Sequence, residues 1–172
     1  MNTPDIREWP ARPDLIRLQA SHPQRYPGLF VSNGETGWDI LFAFPEDARH
    51  FGRDDLDALQ AHPAMRLHQA PTADSGLPFA GGWLCAIAYE LGGLFEPSAG
   101  VLDDPAGFPI AWIARIPAAI LVDRTTARCL LVAESGRTEL IDAMRHDLSA
   151  PLPELPGDPL GHVDCGLGKA IP

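Results

Sequence analysis

The side chains best suited to chemistry are spread thinly along this chain. Six histidines stand at His22, His50, His62, His68, His146 and His162, with no H-x-x-x-H pair. Metal ligation needs such clustering, so these read as surface or capping residues. Asp54, Asp55 and Asp57 cluster at the start of a helical pattern, where the helix dipole favours acids. Asp103-Asp104 precedes a proline in a turn-like segment. Glu90 and Glu96, flanked by Tyr89 and Phe95, have the residue types of a paired-carboxylate site, but no further functional group accompanies them. Ser32, Ser75 and Ser135 all lack the G-x-S-x-G context of an activated nucleophile. The glycine pair Gly81-Gly82 lacks both G-x-G-x-x-G and the P-loop pattern, and reads as a turn with a close backbone approach. Lys169 is the sole lysine, which leaves the body of the chain without a Schiff-base or phosphate-binding amine. No catalytic constellation and no metal site emerge.

Composition narrows the classes further. The chain has 172 residues, with 13 Lys+Arg against 23 Asp+Glu, a net charge of -10. Nucleic acid and anionic membrane surfaces both call for a basic patch, so neither is an expected partner. The hydrophobic fraction of 45% is that of a folded domain rather than an acidic disordered chain. The first residues carry Asp5, Glu8 and Asp14 without an apolar run, unlike a signal peptide. Cys85, Cys129 and Cys165 are odd in number with no C-x-x-C spacing; Cys85 and Cys129 sit in apolar runs and read as buried. The expected compartment is the cytoplasm.

Eighteen prolines and sixteen glycines cut the chain into short elements that must position whatever site exists. Arg12 to Ser21 reads as an amphipathic helix, with Leu15, Ile16 and Leu18 on one side. Pro27–Ser32 and Trp38–Phe44 read as strands joined through the turn residues Asn33 to Gly37, a hairpin that Pro45 ends. Arg53–His62 reads as a helix capped by Asp54. Met65–Gln69 is expected to be a short strand, and Gly82–Tyr89 a buried one. Ile110–Ile116, Ala118–Asp123 and Arg128–Ala133 are further strands, the first two separated at Pro117. Leu140, Ile141, Met144 and Leu148 place a helix over Ser135–Leu148. Strands and helices do not alternate, so the expected class is α+β, mostly antiparallel, with about three short helices. Residues 1–149 form the domain, and the Pro/Gly-rich residues 150–172 read as a linker or disordered tail.

Two stretches are more specific than composition. Leu77-Pro78-Phe79-Ala80-Gly81-Gly82-Trp83-Leu84, followed by Tyr89-Glu90-Leu91-Gly92 and Phe95-Glu96, resembles a hallmark of chorismate-utilising enzymes. Tyr26 to Ser32 followed by Trp38-Asp39-Ile40-Leu41 resembles the first hairpin of their N-terminal domain. Pro109 to Asp123 resembles its later strand pair. From about Pro10 to Leu148 the chain is similar to the N-terminal domain of aminodeoxychorismate synthase component I (para-aminobenzoate synthase) and of anthranilate synthase component I.

That resemblance implies half of a layered α+β fold, packed against a chorismate-binding catalytic domain. The magnesium-binding carboxylates and catalytic lysine of the family belong to that other domain, and their motifs do not occur here. The implied role is non-catalytic, within an enzyme that aminates chorismate on the way to folate with ammonia from a glutamine amidotransferase subunit. The resemblance also implies a tryptophan-binding pocket at Ser32, Glu35, Thr36, Gly37 and Trp38, and hence an alternative role as an aromatic amino-acid-binding or subunit-interaction module. Anthranilate synthases usually have an acid just before the serine. Val31 stands there instead, which favours the aminodeoxychorismate branch. The family also usually has glycine where Cys85 stands and a basic residue where Gly93 stands. A domain with one face normally covered is expected to oligomerise alone.

Overall fold

In the computed structural model the chain is described at residues 3–66, 76–92, 98 and 107–153. The fold is α+β, with eight strands in two antiparallel sheets and three helices among the described residues. The strands are β1 (Asp5–Trp9), β2 (Gly28–Phe30), β3 (Trp38–Ala43), β4 (Glu46–Phe51), β5 (Gly82–Ile87), β6 (Ala111–Ile116), β7 (Ala118–Asp123) and β8 (Cys129–Ala133). The helices are α1 (Leu15–Ser21), α2 (Leu56–Ala61) and α3 (Thr138–Ser149). The larger sheet runs β1-β8-β7-β3-β2 and the smaller β4-β6-β5.

The larger sheet is covered on one face by α1 and α3. Ile120, Val122, Leu131 and Leu41 of the strands meet Leu15 and Leu18 of α1 and Leu140, Ile141 and Met144 of α3. The opposite face carries Ala119, Leu121, Leu130 and Val132. With both faces buried, β7 and β8 lose the in–out alternation of a half-exposed strand and become continuous apolar runs. Near β2 that second face meets the smaller sheet through Phe42, Leu84, Ala114 and Ile116. The far side of the smaller sheet buries Phe51, Ile113 and Ala111 against Leu59 of α2. Pro117 does more than interrupt a strand: β6 lies in one sheet and β7 in the other, so this residue marks the crossing between them.

The β2–β3 hairpin forms as expected, Leu29 opposite Leu41, and α1 and α3 occupy their expected segments, but Ile16 is exposed rather than on the buried side of α1 with Leu15 and Leu18. Other elements differ. β1 and β4 are strands that carry no apolar alternation: DIREW pairs with β8 and EDARHF with β6. They form because their neighbours supply the burial. Asp54 does not cap the second helix; a 3-10 turn over Arg53–Asp55 precedes α2, and the Asp55 carboxylate accepts from the Gly52 amide at 2.8 Å. Pro63–Arg66 is also a 3-10 turn rather than the beginning of a strand; the rest of the expected Met65–Gln69 strand lies outside the described residues. β5 is a strand, but it is not buried throughout. Cys85, Ala86 and Ile87 are exposed because β5 is an edge.

Past α3, Leu152 packs on the main core, and its carbonyl and that of Pro153 accept from the Arg17 guanidinium. Among the described residues no helix is long and apolar enough to cross a membrane.

Candidate functional site

The turn between β2 and β3 holds four of the five site residues, and Trp38 opens β3. A buried carboxylate organises it. Asp39, 6% exposed, accepts from the Ser32 amide at 3.0 Å and from Arg124 Nε at 2.8 Å, with Arg12 at 3.7 Å. Arg124 extends the clasp, donating from its guanidinium to the Gly34 carbonyl at 2.7 Å and from its amide to the Gly37 carbonyl at 2.9 Å. Within the turn, the Ser32 hydroxyl donates to the Thr36 carbonyl at 2.8 Å. Gly37 sits at φ +101°, and a Cβ there would press on Ser32 Oγ at 3.0 Å, so a side chain is excluded by both conformation and space.

The chemical capacity of the turn follows from what is already used. Ser32 spends its hydroxyl proton on Thr36 and keeps its oxygen as an acceptor. The amides of Glu35, Thr36 and Gly37 have no hydrogen-bond partner among the described residues. The turn therefore offers an acceptor and a row of donors side by side, a match for the two charged ends of an amino acid. Glu35, Thr36 and Gly37 are exposed, whereas Trp38 is half-buried.

Trp38 also connects this turn with the second motif. It packs on the apolar face formed by Ala119, Leu121, Leu130 and Val132, and Leu77, Phe79 and Ala80 pack on the same face. Phe79 stands edge-on to Phe42 at 5.1 Å. Next to it, Gly81 adopts φ +109°, and a Cβ there would run into the Glu134 carboxylate. Glu134 is held by Arg115, which also donates to the Gly82 carbonyl at 2.7 Å and lies over the Trp83 ring at 5.9 Å. The glycine-rich segment is thus a clamp on the start of β5, the close backbone approach its turn chemistry suggests.

The remaining candidates stay apart. Tyr89 is 85% exposed, and Glu96 lies outside the described residues, so the Glu90/Glu96 pairing has no described geometry. His62 stands at the C-terminal cap of α2, its amide donating to the Leu59 carbonyl, and is not a surface residue. It is buried between Phe51 and Trp83, and its Nδ1 accepts from the Ala64 amide at 3.2 Å. Burial and the nearby Arg49 hold its pKa below the usual imidazole value. His68 and His162 lie outside the described residues. Among the described residues no group of three His, Cys, Asp or Glu side chains could hold a metal. An open groove of about 620 Å³ lies elsewhere, between the end of α1 and the start of β4, lined by His22, Arg25, Phe44, Glu46 and Arg137. Its arginines already carry acidic partners, Asp147 for Arg25 and Glu46 and Glu139 for Arg137.

Sequence reasoning did not single out Asp39 or Arg124 as the organisers of the turn. The one available signal was a charge inside the apolar run WDILFAF, which a strand interior tolerates only when the charge is paired. No protein-family model matches the sequence, and no curated protein matches it.

Proposed function

We propose that this chain is the non-catalytic N-terminal domain of an aminodeoxychorismate synthase component I, an enzyme that aminates chorismate toward para-aminobenzoate and folate. One observation carries the reading. The segments that resemble this family, around Trp38, Leu77–Ala80 and Ala119–Leu121, converge on a single apolar face of the larger sheet. Motifs distant in sequence that build one site are what a shared domain architecture calls for. In this reading the domain works in the cytoplasm, beside a chorismate-binding domain that supplies the magnesium site and the catalytic lysine, and with a glutamine amidotransferase subunit that supplies ammonia. The turn Ser32, Glu35, Thr36, Gly37, with Trp38, is its tryptophan-class pocket, the charged ends held on the turn beside the half-buried Trp38.

The test is reconstitution. The purified chain, given chorismate, ammonia and magnesium, is expected to form no aminodeoxychorismate. Added to a chorismate-binding domain that lacks its own N-terminal half, it is expected to raise that domain's turnover. Product from the chain alone, or a catalytic domain indifferent to its addition, overturns the proposal.

A further inference from the structure

Among the described residues four strands lie at sheet edges, and three of them carry a device against pairing. β1 is charged at Asp5, Arg7 and Glu8. β2 is only three residues long. β4 carries Glu46, Asp47 and Arg49, an irregular register between Glu46 and Arg49, and a left-handed Asp47 at φ +47°. Short length, charge and bulges are the usual means of protecting an edge. β5 has none of them. Its sequence, GWLCAI, is uncharged, its register with β6 is unbroken from Gly82 to Ile87, and Cys85, Ala86 and Ile87 are exposed.

The hydrogen-bond phase says which backbone groups face outward. The Ala88 amide donates to the Ile110 carbonyl, in register with the β5–β6 pairing. In an antiparallel ladder the hydrogen-bonded positions alternate. Ala86, Leu84 and Gly82 therefore face β6, and Trp83, Cys85 and Ile87 turn their N–H and C=O groups away from it. Those groups have no partner among the described residues.

We propose that β5 pairs with β5 of a second copy of this chain, antiparallel about a twofold axis at Cys85. The outward residues are spaced symmetrically about Cys85. That register sets Trp83 opposite Ile87 of the other copy and Cys85 opposite its own copy, with two hydrogen bonds for each of the three pairs. It is the register in which all three outward residues pair with one another. Among the edges of the described residues, β5 is matched by no other: β1 and β4 bring charges and β2 is too short. Pairing β5 with itself also closes, where pairing it with a different edge would propagate a filament.

The geometry makes the pairing chemically visible. Residues directly opposite in hydrogen-bonded positions stand about 5.5 Å apart at Cα, within the span a disulfide bridges. Sedimentation of the purified full chain across the micromolar range is expected to show a dimer. Diamide, a two-electron thiol oxidant, is expected to cross-link it through Cys85: the cross-link persists in Cys165→Ser and is lost in Cys85→Ser. Cys85→Lys and Cys85→Glu, both at an exposed position, are each expected to sediment as folded monomers, because like charges then oppose one another at the axis. Mixing the two is expected to restore the dimer. A monomeric wild-type chain overturns the proposal, as does a dimer that Cys85→Lys leaves intact or a mixture that stays monomeric. A β5 that pairs only with another protein would appear as the first of these outcomes.

Discussion

The Arg124 guanidinium stands 2.8 Å from the Asp39 carboxylate, and between them they fix the β2–β3 turn. The same carboxylate holds the Ser32 amide, and the same arginine holds Gly34 and Gly37. One ion pair thus sets the position of most of the proposed pocket. Removing Asp39 with Asp39→Ala leaves Arg124 and the Ser32 amide without their shared acceptor. A loss of about 2–3 kcal/mol is expected in urea unfolding, with Arg124→Met costing less because that side chain is partly solvated. Equal stability of both variants with the wild type would show that the turn holds itself.

Tryptophan binding follows from the same geometry. Calorimetry at millimolar tryptophan is expected to register heat, and the melting temperature is expected to rise. Ser32→Ala removes the acceptor for an ammonium group and should weaken binding about tenfold, equivalent to about 1.4 kcal/mol. Absence of both heat and stabilisation in the wild-type chain rules the pocket out.

Across the main core, Tyr26 Oη donates to Asp147 Oδ2 at 2.7 Å, and Arg25 donates to the same carboxylate at 2.7 Å. Asp147 is 3% exposed at the last turn of α3, so it ties that helix to the chain after α1. Tyr26→Phe is expected to cost about 1–2 kcal/mol in chemical denaturation. Asp147→Ala should cost more, since it strands both the buried hydroxyl and the arginine. A Tyr26→Phe variant as stable as the wild type would mean that this hydrogen bond contributes nothing net.

How much of this was legible in the sequence depends on whether the cause is local. α1, α3 and the β2–β3 hairpin announce themselves through apolar spacing and turn residues. β1 and β4 do not, because an edge strand with charged side chains owes its existence to the neighbour it pairs with. Cys85 reads as buried from the apolar run around it, yet the run lies at an edge, which only topology reveals. Asp39 and Arg124 are 85 positions apart, and nothing in a local window links Trp38 to Phe79, which share one apolar face. Asp147 sits on an exposed-looking stretch of helix pattern, and its partners Tyr26 and Arg25 come from the opposite end of the chain.

Gly81 offers a test of the clamp at the start of β5. Gly81→Ala meets two obstacles, a left-handed backbone and the Glu134 carboxylate in the space of the new Cβ. A destabilisation of about 2–3 kcal/mol is expected. Adding Glu134→Ala should recover part of that loss, because it clears the space but leaves the backbone conformation unfavourable. Strict additivity of the two substitutions in urea unfolding would exclude the collision as a cause.

His62 makes stability depend on pH in a predictable direction. Its folded-state pKa lies below the model-peptide value of 6.5, since burial beneath Phe51 and Trp83 penalises the imidazolium and Arg49 adds to the penalty. The unfolded chain therefore binds a proton more readily than the native one. The contribution of a neutral His62 is fully present above pH 6.5 and is lost as the pH falls through the lower folded value. Urea unfolding is expected to show stability flat just above this range and declining below it, ahead of the carboxylate titrations. His62→Phe, which keeps an aromatic ring between Phe51 and Trp83, should remove that slope, though it forfeits the bond from the Ala64 amide. A slope unchanged in His62→Phe would assign the acid sensitivity to another group.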